Sequence, residues 1–142
     1  MVFDFFGKIF FVTIYKTQGL EAFIKYEKQN ALSPMKTGPF AQLLRVISNI
    51  QAKYNEEQTP IRTALITARN SPAHERVIRT LSQWGVRLDE AFFLGGVDKY
   101  EVVKAFGADI FFDDQDVHLE NTSKVTPSAK VPYKKESILN NI

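Results

Sequence analysis

The sequence predicts an α/β fold in which helices cover both faces of a parallel β-sheet. The apolar residues 110–112 are followed directly by Asp113 and Asp114, a pattern typical of a strand that is buried on both faces and ends at a polar edge. After Pro60, short apolar runs alternate with helical patterns, as they do in βα units. An apolar fraction of 44% over 142 residues, with twelve Phe, indicates one globular domain with a substantial core.

The N-terminal residues 1–14 are predicted to form a buried strand, with the first strand of the sheet at residues 2–5 and Asp4 inside it. Asp4 and Lys8 interrupt the apolar run, and the run is too short to cross a bilayer. A signal peptide requires a basic start and an uninterrupted apolar core, and this stretch has neither. We therefore expect no membrane role.

Two helices are predicted before the alternation begins. Thr17 is a predicted N-cap of the first, and Pro39 opens the second, where its missing N–H does no harm. Polar loops are expected at residues 30–38 and 55–60. The apolar faces are expected to carry Leu20, Phe23 and Ile24 in the first helix, and Phe40, Leu43, Leu44, Ile47 and Ile50 in the second.

The first βα unit begins with an apolar strand at residues 63–66, which ends at Thr67. Ser71 and Pro72 are the expected N-cap and first residue of the following helix, and Gly85 ends it. The predicted inward residues of this helix are Val77, Ile78, Leu81 and Trp84.

The second unit has a strand at residues 91–94 and a turn at Gly95. Asp98 is the expected N-cap of its helix, and Gly107 ends that helix. A last short strand is expected at residues 128–131. The apolar residues of the helix are Val102, Val103 and Phe106.

Charge and cysteine content exclude several classes of function. The 18 basic and 16 acidic residues leave a net charge of +2, so the sequence gives no electrostatic case for binding nucleic acid. The absence of cysteine excludes disulfides and thiolate metal sites, and it fits an intracellular, cytoplasmic protein.

Polar residues follow successive predicted strands and form a candidate site. Asp4, Thr67, Lys99, Asp113 and Asp114 lie at or just beyond the carboxyl ends of strands, where open α/β sheets bind ligands. A carboxylate, a hydroxyl, an ammonium and an acid pair are the groups that phosphoryl transfer needs. Two adjacent carboxylates repel each other, and Mg²⁺ is a suitable cation for such a pair. The alternative interpretation is a solvated Asp-Asp turn.

The order of these groups carries more information than any one of them. Receiver domains of phosphorelay systems use similar groups, but there the acid pair comes first. The order Asp, Thr, Lys, Asp-Asp resembles the haloacid dehalogenase-like phosphohydrolase superfamily. Within it, five segments are similar to the type I cytosolic 5′-nucleotidases: Gly-Leu-Glu-Ala-Phe at 19–23, Ile-Arg-Thr-Ala-Leu-Ile-Thr-Ala-Arg at 61–69, Trp-Gly at 84–85, Ile-Phe-Phe-Asp-Asp-Gln at 110–115, and Val-Pro-Tyr at 131–133.

The resemblance implies a three-layer, Rossmann-like parallel sheet with a small helical cap. We expect residues 1–133 to form a single domain, with the cap at about residues 15–60, and residues 134–142 to form a loose tail. The implied substrate is a nucleoside 5′-monophosphate of the AMP or IMP class. The oligomeric state stays open.

The resemblance also implies roles for individual residues. Asp4 would attack the phosphorus and form an aspartyl-phosphate intermediate. Thr67 would hydrogen-bond the transferring phosphoryl group, and Lys99 would neutralise it and orient Asp4. Arg69 would contribute to substrate binding with Thr67 and Lys99.

The implied cofactor is Mg²⁺. Its ligands would be Asp4, Asp113 and Asp114, with a backbone carbonyl near Phe6. Two further residues match the family pattern in a supporting role, Gln115 and His118.

The first motif departs from that of the superfamily. The superfamily pattern is Asp-x-Asp-Gly, whereas this chain reads Asp-Phe-Phe-Gly at residues 4–7. Phe6 therefore stands where the second Asp would act as general acid and base, which phenylalanine cannot do. The alternative function is a catalytically silent module of the same fold that binds nucleotide or phosphate.

Overall fold

The protein folds as a parallel sheet with helices around it. The computed structural model describes residues 1–4, 8–35, 37, 40–69 and 73–131. Among these residues, it describes the side chains of Met1 and of all residues from Gln18 onward. The strands are β1 (Val2–Asp4), β2 (Ala64–Thr67), β3 (Glu90–Phe93), β4 (Phe111–Asp113) and β5 (Ser128–Lys130). The helices are α1 (Lys8–Gln29), α2 (Ala41–Gln51), α3 (Ala73–Gln83), α4 (Lys99–Phe106) and α5 (Asp116–Thr122), and a 3₁₀ turn lies at Glu56–Gln58.

The sheet has the strand order β3-β2-β1-β4-β5, and every pairing in it is parallel. The chain builds outward from β1 through β2 to β3 and then returns to the other side of β1 with β4. The point where the order reverses therefore lies between β1 and β4. Open α/β sheets bind their ligands at such a point, beyond the carboxyl ends of the strands.

Strand side chains alternate between two hydrophobic layers, because successive residues of a strand point to opposite faces. Leu65 faces one layer, together with apolar residues of α2 and α3. Ala64 and Ile66 face the other layer, together with Phe111 and residues of α4 and α5. These contacts confirm the predicted α/β fold with a helix layer on each side of the sheet.

Helix α2 belongs to the first of these layers. Ala41 and Leu44 are buried with Leu65 of the sheet and Val77 of α3. The division of the chain into a core and a cap at residues 15–60 stays a prediction, and the tail at residues 134–142 lies outside the described residues.

The predicted strand over residues 1–14 is correct only at its beginning, because α1 starts at Lys8. A continuous apolar run cannot be assigned to strand or helix from its periodicity, which explains the error. Thr17 is not an N-cap either, since it lies inside α1. The helix is interrupted at Gly19 (φ 84°, ψ 176°), a conformation that is essentially restricted to glycine.

In several helices, fewer apolar residues are buried than the sequence predicts. Ile78, Leu20 and Leu43 were expected inward but are 42%, 55% and 40% exposed. Ile78 and Leu43 each neighbour a buried residue, Val77 or Leu44, and one step along a helix turns a side chain by about 100°.

Helix termini were predicted with mixed success. Asp98 caps α4 by accepting a hydrogen bond from the Tyr100 N–H at 2.9 Å, and Gly107 ends it in the left-handed conformation. Both roles are confirmed. The short helix α5 was not predicted, because the spacing of its few apolar residues gives no helical period. The predicted N-cap Ser71 and the predicted first helical residues Pro39 and Pro72 lie outside the described residues.

No described helix combines the length and the hydrophobicity that a membrane crossing requires.

The packing of α2 leads to a stability prediction. Leu44→Ala removes a side chain that is 1% exposed, so we expect the free energy of unfolding to fall by about 2–5 kcal/mol in urea denaturation. Leu43→Ala is the matched control, since that leucine is 40% exposed, and its loss should stay within about 1 kcal/mol. Equal losses in the two variants would show that α2 does not pack on the sheet as described.

Candidate active site

Three of the residues predicted to act in the site are the last residues of neighbouring strands, at the same edge of the sheet. Asp4 is the last residue of β1, Thr67 of β2 and Asp113 of β4. Asp4 and Asp113 are direct partners in the ladder between β1 and β4. The two residues therefore meet at the point where the strand order reverses.

Lys99 and Asp113 form a fully buried ion pair. The Lys99 Nζ donates a hydrogen bond of 2.6 Å to Asp113 Oδ2, and both side chains are 0% exposed. The Asp98 cap fixes the start of α4, and Lys99 is the first residue of that helix. An isolated charge at this depth would cost several kcal/mol, so each of the two groups stabilises the charged form of the other.

The second oxygen of Asp113 is also engaged by the protein. Asp113 Oδ1 accepts a hydrogen bond of 2.7 Å from the Gln115 N–H, which turns the chain directly after β4. Asp114 is 4% exposed. Because both carboxylates are buried, the alternative of a solvated Asp-Asp turn is wrong.

Thr67 ends β2, which pairs with β1 on the side opposite to β4, and it carries a hydroxyl group. The residue is 1% exposed, and its Oγ1 accepts a hydrogen bond of 3.3 Å from the Arg69 N–H. Because β1 lies between β2 and β4, the backbones of Thr67 and Asp113 are roughly 10 Å apart. Asp4 ends the strand between them.

Arg69 lies in the loop after β2, and its side chain is buried against helix α1. Its Nη1 donates to Glu27 Oε2 at 3.2 Å, and the Nη1 of Arg76 in α3 donates to Glu27 Oε1 at 3.2 Å. Glu27 is 0% exposed, and the two arginine side chains are 5% and 7% exposed. One carboxylate therefore joins α1, α3 and the loop that follows Thr67.

Sequence reasoning missed Glu27 and Arg76. A usable signal was present, because Glu27 lies four residues after Phe23, on the helix face that Phe23 buries. A carboxylate on a buried face needs a charged partner, and arginine supplies two parallel donors for one.

The two residues given a supporting role lie around the start of α5. Gln115 precedes this helix, and its backbone N–H is the donor to Asp113. His118 lies inside the helix and is half-buried.

The donor chemistry of the acid pair suits a hard divalent cation. Carboxylate oxygens are the ligands that Mg²⁺ prefers, together with water and phosphate oxygens, and Asp113 and Asp114 supply them at the carboxyl edge. Within the described side chains, no group of three His, Cys, Asp or Glu residues is arranged to hold a metal. The Asp4 side chain and the predicted carbonyl near Phe6 lie outside the described part of the chain.

Comparison with known proteins matches this chain to a protein family and to a curated relative. The sequence model of the 5′-nucleotidase family matches residues 3–138. Cytosolic 5′-nucleotidase 1B of Homo sapiens is 34% identical over 126 residues, in a match that covers 85% of this chain. The chain spans 21% of that relative's length. No solved structure matches the chain.

The buried ion pair leads to a second prediction. Lys99→Met leaves the Asp113 carboxylate without its cationic partner, so we expect the free energy of unfolding to fall by about 3–5 kcal/mol in urea denaturation at near-neutral pH. Lys104→Met is the matched control on the exposed side of the same helix, and its cost should stay below about 1 kcal/mol.

A double variant tests whether the two groups act as a pair. Lys99→Met with Asp113→Asn should cost clearly less than the sum of the two single changes, since the second change removes the charge that the first one leaves unpaired. Strictly additive losses would contradict the pairing.

Proposed function

We propose that this chain, which belongs to the 5′-nucleotidase family, binds nucleoside 5′-monophosphates at the carboxyl edge of its sheet and removes their phosphate. The observation that carries the proposal is the buried Lys99–Asp113 pair beside Asp4, at the point where the strand order reverses. An ammonium held at this position is preorganised to stabilise the charge of a phosphoryl group.

The proposed reaction uses Asp4 as nucleophile. Its carboxylate attacks the phosphorus, a bond forms between Asp4 and the phosphoryl group, and the bond to the ribose oxygen breaks, so that the nucleoside leaves and its oxygen takes a proton from water. Water then hydrolyses the aspartyl phosphate, which releases inorganic phosphate and restores Asp4. Thr67 donates a hydrogen bond to the phosphoryl oxygens, Lys99 neutralises them and orients Asp4, and Arg69 contributes to substrate binding.

Mg²⁺ is the proposed cofactor, held by Asp4, Asp113 and Asp114. When bound, it neutralises charge on the phosphate oxygens. The buried acid pair supports this assignment, because its oxygen donors fit a hard cation.

The proposed substrates are of the AMP and IMP class, following the resemblance to the type I enzymes. The human relative is named a cytosolic enzyme, and we propose the same compartment for this chain.

Phe6 favours a second candidate function, a module that binds nucleotide or phosphate without turning it over. Phenylalanine can neither protonate the leaving nucleoside nor deprotonate the attacking water. The groups proposed to bind phosphate and metal, Thr67, Lys99 and Asp113, are all present in this chain. The two candidates therefore differ in turnover and share the binding site.

Phosphate release from AMP and IMP in the presence of Mg²⁺ separates the two functions. We expect slow release by the wild type, loss of release in Asp4→Asn, and release about 10²–10⁴-fold faster in Phe6→Asp, which restores the general acid and base. Asp109→Asn is the matched control at an exposed aspartate, and it should behave like the wild type.

Binding measured by calorimetry completes the experiment. AMP binding without release in either the wild type or Phe6→Asp would leave only the binding module. Absence of both binding and release in the two proteins would reject the proposed site.

A further inference from the structure

The buried cluster of Glu27, Arg69 and Arg76 connects the proposed phosphate-binding residues to helix α1. Its three side chains are 1%, 5% and 7% exposed, so the ion pairs are shielded from solvent. Each Glu27 oxygen accepts from a different guanidinium group, at 3.2 Å in both cases. Removing the carboxylate charge therefore alters both contacts at once.

The Arg69 arm of this cluster leads directly to Thr67. The Arg69 side chain is held by Glu27, and the Arg69 backbone N–H donates to Thr67 Oγ1 at 3.3 Å. Arg69 therefore contacts α1 through its guanidinium group, and it contacts Thr67, which is proposed to bind phosphate, through its backbone amide. The position of the Arg69 side chain restricts the backbone of the turn, which restricts the direction of the Thr67 hydroxyl.

The Arg76 arm anchors α1 to α3 independently of Thr67. Arg76 Nε donates to the Ser33 carbonyl at 2.9 Å, and its guanidinium group lies 5.5 Å from the centre of the Tyr26 ring. Further along, the Met35 N–H donates to Thr80 Oγ1 at 3.1 Å. These contacts hold the end of α1 and the chain after it on α3 when the Arg69 arm is weakened.

We propose that Glu27 is a positioning residue for the phosphate-binding turn at Thr67–Arg69. By fixing the Arg69 guanidinium group, Glu27 sets the position of the Arg69 side chain and the hydroxyl direction of Thr67. The affinity for the phosphate group then depends on the position of α1 relative to the loop after β2. This proposal rests on the proposed function for its effect on nucleotide, whereas its effect on the turn needs no ligand.

Glu27→Gln tests the proposal, because it keeps the size of the side chain and removes its charge. We expect the AMP affinity of the folded protein, measured by calorimetry with Mg²⁺, to fall about 10–100-fold, the range typical of changes to residues that orient the groups in direct contact with a ligand. We also expect faster hydrogen exchange of the Arg69 amide without nucleotide. Glu21→Gln, an exposed residue of the same helix, should change neither quantity.

Glu27→Asp keeps the charge between the two guanidinium groups on a shorter side chain, and it covers the case in which Glu27→Gln does not fold. We expect an intermediate loss of AMP affinity and intermediate exchange of the Arg69 amide. A merely structural role predicts a different pattern, in which stability in urea falls while both quantities stay at their wild-type values. That pattern in either variant would overturn the proposal.

Failure of the proposed function has a separate signature. If the wild type binds neither AMP nor inorganic phosphate, the proposed function fails. The positioning role is then decided by the Arg69 amide alone: faster exchange in Glu27→Gln supports it, and unchanged exchange overturns it.

Discussion

The buried ion pair between Lys99 and Asp113 is the contact on which the carboxyl edge of the sheet depends. It joins the first residue of α4 to the last residue of β4, with both side chains at 0% exposure. Neither charge is tolerable at this depth without the other, so the pair fixes where the helix starts relative to the strand. Because Asp113 is also the ladder partner of Asp4, the same contact places an ammonium at the end of the strand that neighbours β1.

A second buried ionic cluster, that of Glu27 with Arg69 and Arg76, stabilises the β2 side of β1, as the Lys99–Asp113 pair stabilises the β4 side. It ties the loop after β2 to α1 and α3. Buried ion pairs therefore lie on both sides of the proposed site, and separating either of them would cost several kcal/mol of folding free energy. Rigid support of this kind keeps hydrogen-bond donors aimed at the position where charge develops.

The sequence was sufficient for the architecture and for the edge of the sheet where the polar residues gather. Short apolar runs and the helix-end signals at Asp98 and Gly107 act locally, which is why they could be recognised without coordinates. The helical state of residues 8–14 could not be read, because a short apolar run suits a buried strand and a buried helix equally. The partner of Glu27 was equally hidden, since Arg69 lies 42 residues away and only tertiary packing brings the two together.

A crystal structure of the wild-type protein with Mg²⁺ and a phosphate mimic is the most direct test of the central claim that the Lys99–Asp113 pair serves a phosphate site. The mimic is predicted to lie beyond the carboxyl ends of β1, β2 and β4, in contact with the Thr67 hydroxyl and the Lys99 ammonium. A mimic bound elsewhere on the protein, with Lys99 still buried against Asp113 and out of its reach, would contradict the claim.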